Sequence, residues 1–131
     1  MNLSVLKSIF GHDGFRPGQE ELISTLRQRR DLLGVMATGS GKSLCYQFPA
    51  VEQEGRCLVI SPLISLMNDQ VKKLSLVGVP AASLHSHAAL EERITAIDRW
   101  KTGQLRFLYV APERFSDPTF GRALAHTRPD Y

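Results

Sequence analysis

Apolar positions along this chain alternate between two spacings, one helical and one extended. Leu3, Leu6, Ile9 and Phe10 fall on one helical stripe and predict a first helix over Leu3–Phe10. Phe15-Arg16-Pro17-Gly18 interrupts it. Pro17 suits the first turn of a second helix, Gln19 to Arg30, whose buried side is Leu22, Ile23 and Leu26. Leu32 to Met36 is a short apolar run that reads as a strand. The glycine-rich turn Thr38-Gly39-Ser40-Gly41 then leads through Lys42-Ser43 into a helix expected to stop near Pro49.

The alternation continues. Cys57 to Ile60 reads as a strand, and Leu63 to Leu76 as a helix with Leu63, Leu66, Met67, Val71 and Leu74 aligned. Ala81 to Leu84 is a second short strand, followed by a helix from Ala88 to Lys101 with Leu90, Ile94, Ile97 and Trp100 aligned and Gly103 ending it. Leu105 to Val110 is a strand, and Pro112 opens a helical turn. Strand–helix alternation predicts an α/β fold, a parallel sheet covered by helices with right-handed crossovers. Ligands of such sheets sit beyond the carboxyl ends of the strands. The chain stops at Arg128-Pro129-Asp130-Tyr131, just after a helical pattern and where a further strand is expected, so it reads as interrupted.

Composition narrows the class. The 131 residues make at most one domain, with 43% apolar and 22% charged residues, as in soluble globular proteins. No apolar run approaches the roughly 18 residues of a membrane span. Met1 to Phe10 carries only Lys7 and no apolar block with a small-residue cleavage site, so no signal peptide is read. The net charge of +3 is spread evenly, which permits a nucleic-acid partner without arguing for one. Cys45 and Cys57 lie in apolar runs at a spacing that fits no zinc site, and no disulfide is expected. A reducing, cytoplasmic setting is the default. His85-Ser86-His87 can put two imidazoles on one strand face, but no Cys, Asp or Glu completes a metal set. Arg27-Gln28-Arg29-Arg30 reads as a solvated helix end, and Trp100 as core.

The sharpest chemical signal is Met36-Ala37-Thr38-Gly39-Ser40-Gly41-Lys42-Ser43. It follows an expected strand and opens a helix, the context a phosphate-binding turn requires. Glycines let successive N–H groups face one concavity, and the helix start adds its positive end. Lys42 can reach the β- and γ-phosphates and the Ser43 hydroxyl can ligate Mg²⁺. The plainer reading is a glycine-rich loop with a stray Lys, which the strand–turn–helix context disfavours. Met36 stands where the usual pattern has Gly or Ala, at a position that only starts the turn.

Four segments together resemble the RecQ-type DNA helicases. Phe10-Gly11-His12-Asp13-Gly14-Phe15-Arg16-Pro17-Gly18-Gln19 resembles their adenine-reading motif, and Thr38-Gly39-Ser40-Gly41-Lys42-Ser43-Leu44-Cys45-Tyr46-Gln47 their ATP-binding loop and helix. Leu58 to Val71, containing Ser61-Pro62-Leu63-Ile64-Ser65-Leu66, is similar to their motif Ia, and Leu108 to Phe115, with Ala111-Pro112-Glu113-Arg114, to their motif Ib. The resemblance implies a RecA-like phosphate-loop domain. Residues 1–24 would hold N-terminal helices with the adenine-reading motif, and residues 25–131 part of the ATP-binding domain. It implies ATP and Mg²⁺ as cofactors and single-stranded DNA and duplex junctions as partners, in 3′-to-5′ unwinding for recombination and repair. Gln19 would pair with adenine N6 and N7, Arg16 would stack on the base, and His12 would stand where an aromatic residue is usual. Thr38, Gly39, Ser40, Gly41, Lys42 and Ser43 would hold the phosphates, with Lys42 the catalytic residue and Ser43 the metal ligand. Ser61, Pro62, Ser65, Asp69, Gln70 and Arg114 would hold the DNA strand, chiefly through its phosphates.

Hydrolysis in this family also needs a strand ending in Asp-Glu-Ala-His, and no such tetrapeptide occurs in the 131 residues. Glu113 is a poor substitute, because Pro112 and the match to motif Ib place it elsewhere. The chain therefore reads as the first portion of a first motor domain, truncated before that strand and lacking the second motor domain. Without hydrolysis residues, the isolated chain is expected to be inactive and at best a weak nucleotide binder. The strand Leu32 to Met36 would lack its usual neighbours, which predicts a marginal or partly molten isolated chain. Two alternatives stay open at this stage: a small phosphotransferase using the same loop, and a non-catalytic nucleotide-binding remnant.

Overall fold

The computed structural model describes residues 1–37 and 39–131, which group into two compact units. The first holds residues 1–55 together with 130–131, and the second holds residues 56–129.

The first unit is built on three helices, α1 (Leu3–Phe10), α2 (Gln19–Arg27) and α3 (Lys42–Glu52). Asn2 caps α1, its side chain accepting from the Ser4 N–H at 3.1 Å. The core joins Leu6, Ile23, Leu44, Cys45 and Phe48, flanked by Val5, Phe10, Phe15, Leu22 and Met36. The Phe15 ring meets Phe48 edge to face, 5.1 Å between centroids. Helix α2 ends sooner than expected. Arg29 enters the left-handed region at φ 58°, its N–H bonding Leu26 O and the next N–H bonding Thr25 O. Arg27 and Arg29 are not a bare solvated end. Arg27 pairs with Glu52 at 2.7 Å, and Arg29 pairs with Asp130 at 3.2 Å and lies over the Tyr131 ring.

Helix α3 runs one turn past the expected stop, with Pro49 inside it. An internal proline removes a helix bond and crowds the preceding turn. Here Leu44, Cys45, Gln47, Phe48, Pro49 and Ala50 are all buried, and that packing overrides the break. A larger departure is Leu32 to Met36, which is not a strand. A strand exists only through its ladder, and among the described residues none pairs with this segment. Leu33 and Val35 are left 91% and 88% exposed.

The second unit carries the expected α/β architecture. Strands β1 (Cys57–Ile60), β2 (Ala81–Leu84) and β3 (Phe107–Val110) form a parallel sheet in the order β1-β3-β2. Helices α4 (Ile64–Leu76), α5 (Leu90–Lys101) and α6 (Pro118–His126) and a 3₁₀ turn, Pro112–Ser116, surround it. The chain crosses from β1 to β2 through α4 and returns to the centre through α5. Right-handed crossovers in opposite directions put α4 and α5 on opposite faces. The central strand is buried throughout, as a two-faced strand must be. Leu108 and Val110 face a core of Leu84, Ala96, Trp100, Leu105 and Phe120. Trp100 is fully buried and its indole N–H donates to Thr127 O at 2.8 Å.

The apolar stripes of α4 and α5 are only partly turned inward. Met67 and Leu74 are buried on α4, but Leu63 and Leu66 are exposed. On α5, Ala96 and Trp100 set the inner face, and Leu90 and Ile94 are 63% and 58% exposed. Among the described residues no helix is long and apolar enough to cross a membrane.

Candidate nucleotide and nucleic-acid sites

The phosphate-loop candidates all lie in the first unit. The stretch Gly39 to Gly41 is a turn, neither helix nor extended chain. Gly39 and Gly41 sit at φ 80° and 84°, where side chains are strained, and the Ser40 N–H bonds Ala37 O at 3.1 Å. The Ser40 hydroxyl also donates to Ala37 O. Gly41 is the N-cap of α3 and supplies no side-chain cap, so no side chain at that cap competes for the first-turn amides. Lys42 begins the helix with its side chain exposed, and Ser43 follows half-buried in the same turn. Thr38 lies outside the described residues.

The adenine-motif residues converge on this turn. The Arg16 guanidinium donates to Gly39 O at 2.8 Å. The Gln19 amide nitrogen donates to Gly41 O at 3.0 Å, and its oxygen accepts from the Arg16 N–H at 2.7 Å. Gln19 is only 2% exposed. Both ends of the amide that was expected to read adenine are therefore spent within the protein. His12, Gly14, Arg16, Gln19, Gly41 and Leu44 line a cleft of ≈ 60 Å³. Ligand pockets run roughly 300–1,000 Å³, so the cleft as it stands is too small for a purine. The phosphate end presents two left-handed glycines, a helix start without a side-chain cap and an exposed Lys, which are parts an anion site needs.

The expected DNA-contact residues all lie in the second unit. The register sets Ile60, Val110 and Leu84 abreast, so Ser61, Ala111 and His85 leave the sheet at one carboxyl edge. Ser61 N–H donates to Val110 O at 3.0 Å, and the Ser61 hydroxyl oxygen accepts from the Leu63 N–H at 3.2 Å. Pro62, Ser65 and Asp69 are exposed at or near the start of α4, and Gln70 is half-buried. Arg114 lies in the 3₁₀ turn, half-buried, its Nε without a hydrogen-bond partner.

Two further residues at this edge were not among the expected DNA contacts. His85 is 5% exposed in the loop after β2, not on the strand face, and its Nδ1 has no partner. Burial holds its pKa down, His87 adds to that, and Glu92 and Glu113 oppose it. Arg93 on α5 is half-buried, and its Nε is also unpartnered. Neither carries a motif signal; only the fold brings them to the edge. Among the described residues no three His, Cys, Asp or Glu side chains gather as a metal site.

Comparison with known proteins agrees with these motifs. The sequence profile of the DEAD/DEAH box helicases matches residues 16–128. The ATP-dependent DNA helicase RecQ of Haemophilus influenzae is 48% identical over 126 residues, 96% of this chain and 20% of that protein. RecQ of Bacillus subtilis is 42% identical over 122 residues, 92% of this chain and 21% of the relative. The mouse bifunctional 3′-5′ exonuclease/ATP-dependent helicase WRN is 48% identical over 112 residues, 85% of this chain and 8% of its own length. The chain thus spans about a fifth of the length of the bacterial relatives it matches. With its glycine turn before α3, its parallel sheet and a profile match over most of its length, this RecQ-like chain belongs to the DEAD/DEAH box helicase family.

Proposed function

We propose that this chain is the nucleotide-binding part of an ATP-dependent 3′-to-5′ DNA helicase of the RecQ type, acting in recombination and repair. Residues 1–24 supply the adenine-reading motif and residues 25–131 part of the ATP-binding domain. The observation that carries this reading is the bonding of Arg16 and Gln19 to the carbonyls of Gly39 and Gly41. It ties the adenine motif to the phosphate turn across more than twenty residues of chain.

Bound Mg-ATP supplies the phosphoanhydride whose cleavage drives strand separation in such enzymes. This chain's own residues hold and orient it. With the Ser40 N–H released from Ala37 O, the amides of the Gly39 to Ser43 turn and the α3 N-terminus would bind phosphate oxygens, Lys42 would neutralise their charge, and the Ser43 hydroxyl would ligate the cation. Arg16 moves from Gly39 O to stack on the base, and Gln19 exchanges its bonds to the loop for adenine. Ser61, Pro62, Ser65, Asp69, Gln70 and Arg114 hold single-stranded DNA at the carboxyl edge of the sheet. The chain has no Asp-Glu-Ala-His sequence, so it binds nucleotide weakly and does not hydrolyse it alone.

Titration with fluorescent ATP and GTP analogues in Mg²⁺ tests this reading. Tighter binding of ATP, with the preference lost in Gln19→Ala, supports it. Equal binding of both nucleotides by the unsubstituted chain rejects the adenine assignment. A nucleotide affinity altered by single-stranded DNA, and not by small phosphoryl acceptors, separates the helicase reading from a phosphotransferase.

A further inference from the structure

Beyond the carboxyl ends of β2 and β3 lies a cavity of ≈ 360 Å³ whose lining takes only Arg114 from the motif-like segments. Leu84, Leu90, Ile94 and Ile97 give it an apolar floor, and Arg93, Arg114, Asp117 and Thr119 give it polar walls. Its size is in the range of small-ligand pockets. Its position is where open α/β sheets bind ligands.

The two arginines are its distinctive feature. The Nε atoms of Arg93 and Arg114 are both buried and both lack a hydrogen-bond partner. A buried N–H on a cation without an acceptor is costly, and such orphans call for an explanation. Neither arginine forms an ion pair among the described residues. Asp117 brings one carboxylate to the wall, but its Oδ1 already accepts from the Thr119 N–H at 2.9 Å as the cap of α6. Two guanidinium groups facing one part-occupied carboxylate leave the cavity short of an anion. The floor meanwhile is apolar, and Leu90 and Ile94 remain more than half exposed although they lie on the stripe of α5 expected to be buried.

A ligand with a strong planar acceptor on one side and a flat apolar body on the other fits this arrangement. We propose that the cavity seats one nucleotide of single-stranded DNA, with its phosphate between Arg93 and Arg114 and its sugar and base against Leu90, Ile94 and Ile97. This rests on the DNA-binding reading above and extends it to Arg93 and the face of α5. Guanidinium forks suit phosphate oxygens, and the Nε–H is one tine of the fork. An apolar floor accepts any base, so the contact positions the strand without reading its sequence.

The test uses the 131-residue chain and fluorescein-labelled oligo(dT), followed by anisotropy over a range of salt concentrations. Arg93→Ala is expected to weaken binding about five- to tenfold and to lower the log–log salt slope by about 0.7, the single-strand value for one phosphate contact. Arg93→Lys keeps the charge, so it should retain the slope with a smaller loss of affinity. Far-UV dichroism and Trp100 emission check that each variant folds. In the unsubstituted chain, the ¹⁵N–¹H resonance of Arg93 Nε should shift saturably with oligo(dT), a readout independent of any substitution. An unmoved Nε–H resonance, with affinity and slope unchanged in Arg93→Ala, overturns the proposal while leaving DNA binding elsewhere intact. That result would direct the cavity to another anion, such as an acidic protein segment. An unsubstituted chain that binds no oligo(dT) even at low salt overturns the DNA reading and this proposal together.

Discussion

The Gln19 side chain donates to the Gly41 carbonyl at 3.0 Å, joining two motifs that are 22 residues apart. Its other end accepts the Arg16 N–H, so one buried amide braces the adenine loop and the phosphate turn at once. A nucleotide that uses Gln19 must displace these bonds, which couples base recognition to the shape of the phosphate turn.

Gly41 is the weak point of that joint. A Cβ added there would stand 2.3 Å from the Gln19 amide nitrogen, and the φ of 84° already excludes ordinary side chains. Gly41→Ala is expected to destabilise the chain by at least about 1–2 kcal/mol from the left-handed conformation alone. Urea denaturation followed by far-UV dichroism measures it. An unchanged midpoint would contradict the observed turn.

Trp100 is the chain's one tryptophan, fully buried and hydrogen-bonded to Thr127 O. Native emission should be blue-shifted and should move red on unfolding. Trp100→Phe removes the donor and part of the ring, leaving a buried carbonyl unmatched, and is expected to cost about 2–4 kcal/mol. A loss below about 1 kcal/mol would show that the indole is not where the structure puts it.

Alkaline pH should weaken the fold through Cys57. Burial pushes its thiol up to about 12 from an ordinary 9.0. Below pH 9 the thiol is protonated whether the chain is folded or unfolded, and its contribution is fully present. As pH rises from 9 towards 12 only the unfolded chain ionises, so stability falls. Burial raises Cys45 in the same direction. Urea midpoints measured across this range should decline, and Cys57→Ala should decline less steeply than the unsubstituted chain. Parallel curves would rule out a buried Cys57.

Leu33 and Val35 are exposed on a segment that has no ladder among the described residues. Replacing both with Lys should reduce light scattering of concentrated solutions, because exposed apolar chain with unpaired backbone invites association. Stability should stay within about 0.5 kcal/mol of the unsubstituted chain, as for other exposed positions. A loss well beyond that would mean the two side chains are packed.

Local pattern was a good guide where an element is decided locally. Leu3–Phe10, Cys57–Ile60 and Ala81–Leu84 fall on the residues their spacing predicts. It failed where partners decide. Leu32 to Met36 has the composition of a strand but pairs with no strand among the described residues. Pro49 reads as a stop but is held inside α3, buried together with five other residues of the helix. Leu90 and Ile94 share a stripe with Trp100, yet the sheet selects Ala96 and Trp100 for its face. The candidate nucleotide residues were visible as motifs. The bonds from Arg16 and Gln19 to the turn were not, since no periodicity encodes a contact between distant loops. Arg93 drew no reading from the sequence, and only the fold makes it an orphaned buried donor.

Binding of a fluorescent ATP analogue in Mg²⁺, compared between the unsubstituted chain and Lys42→Ala, tests the central claim most directly. The account predicts weak, saturable binding that Lys42→Ala reduces by about tenfold or more, the equivalent of 1.4 kcal/mol. Equal affinity in the two proteins would contradict it, because the turn from Gly39 to Ser43 would then not be where the phosphates sit.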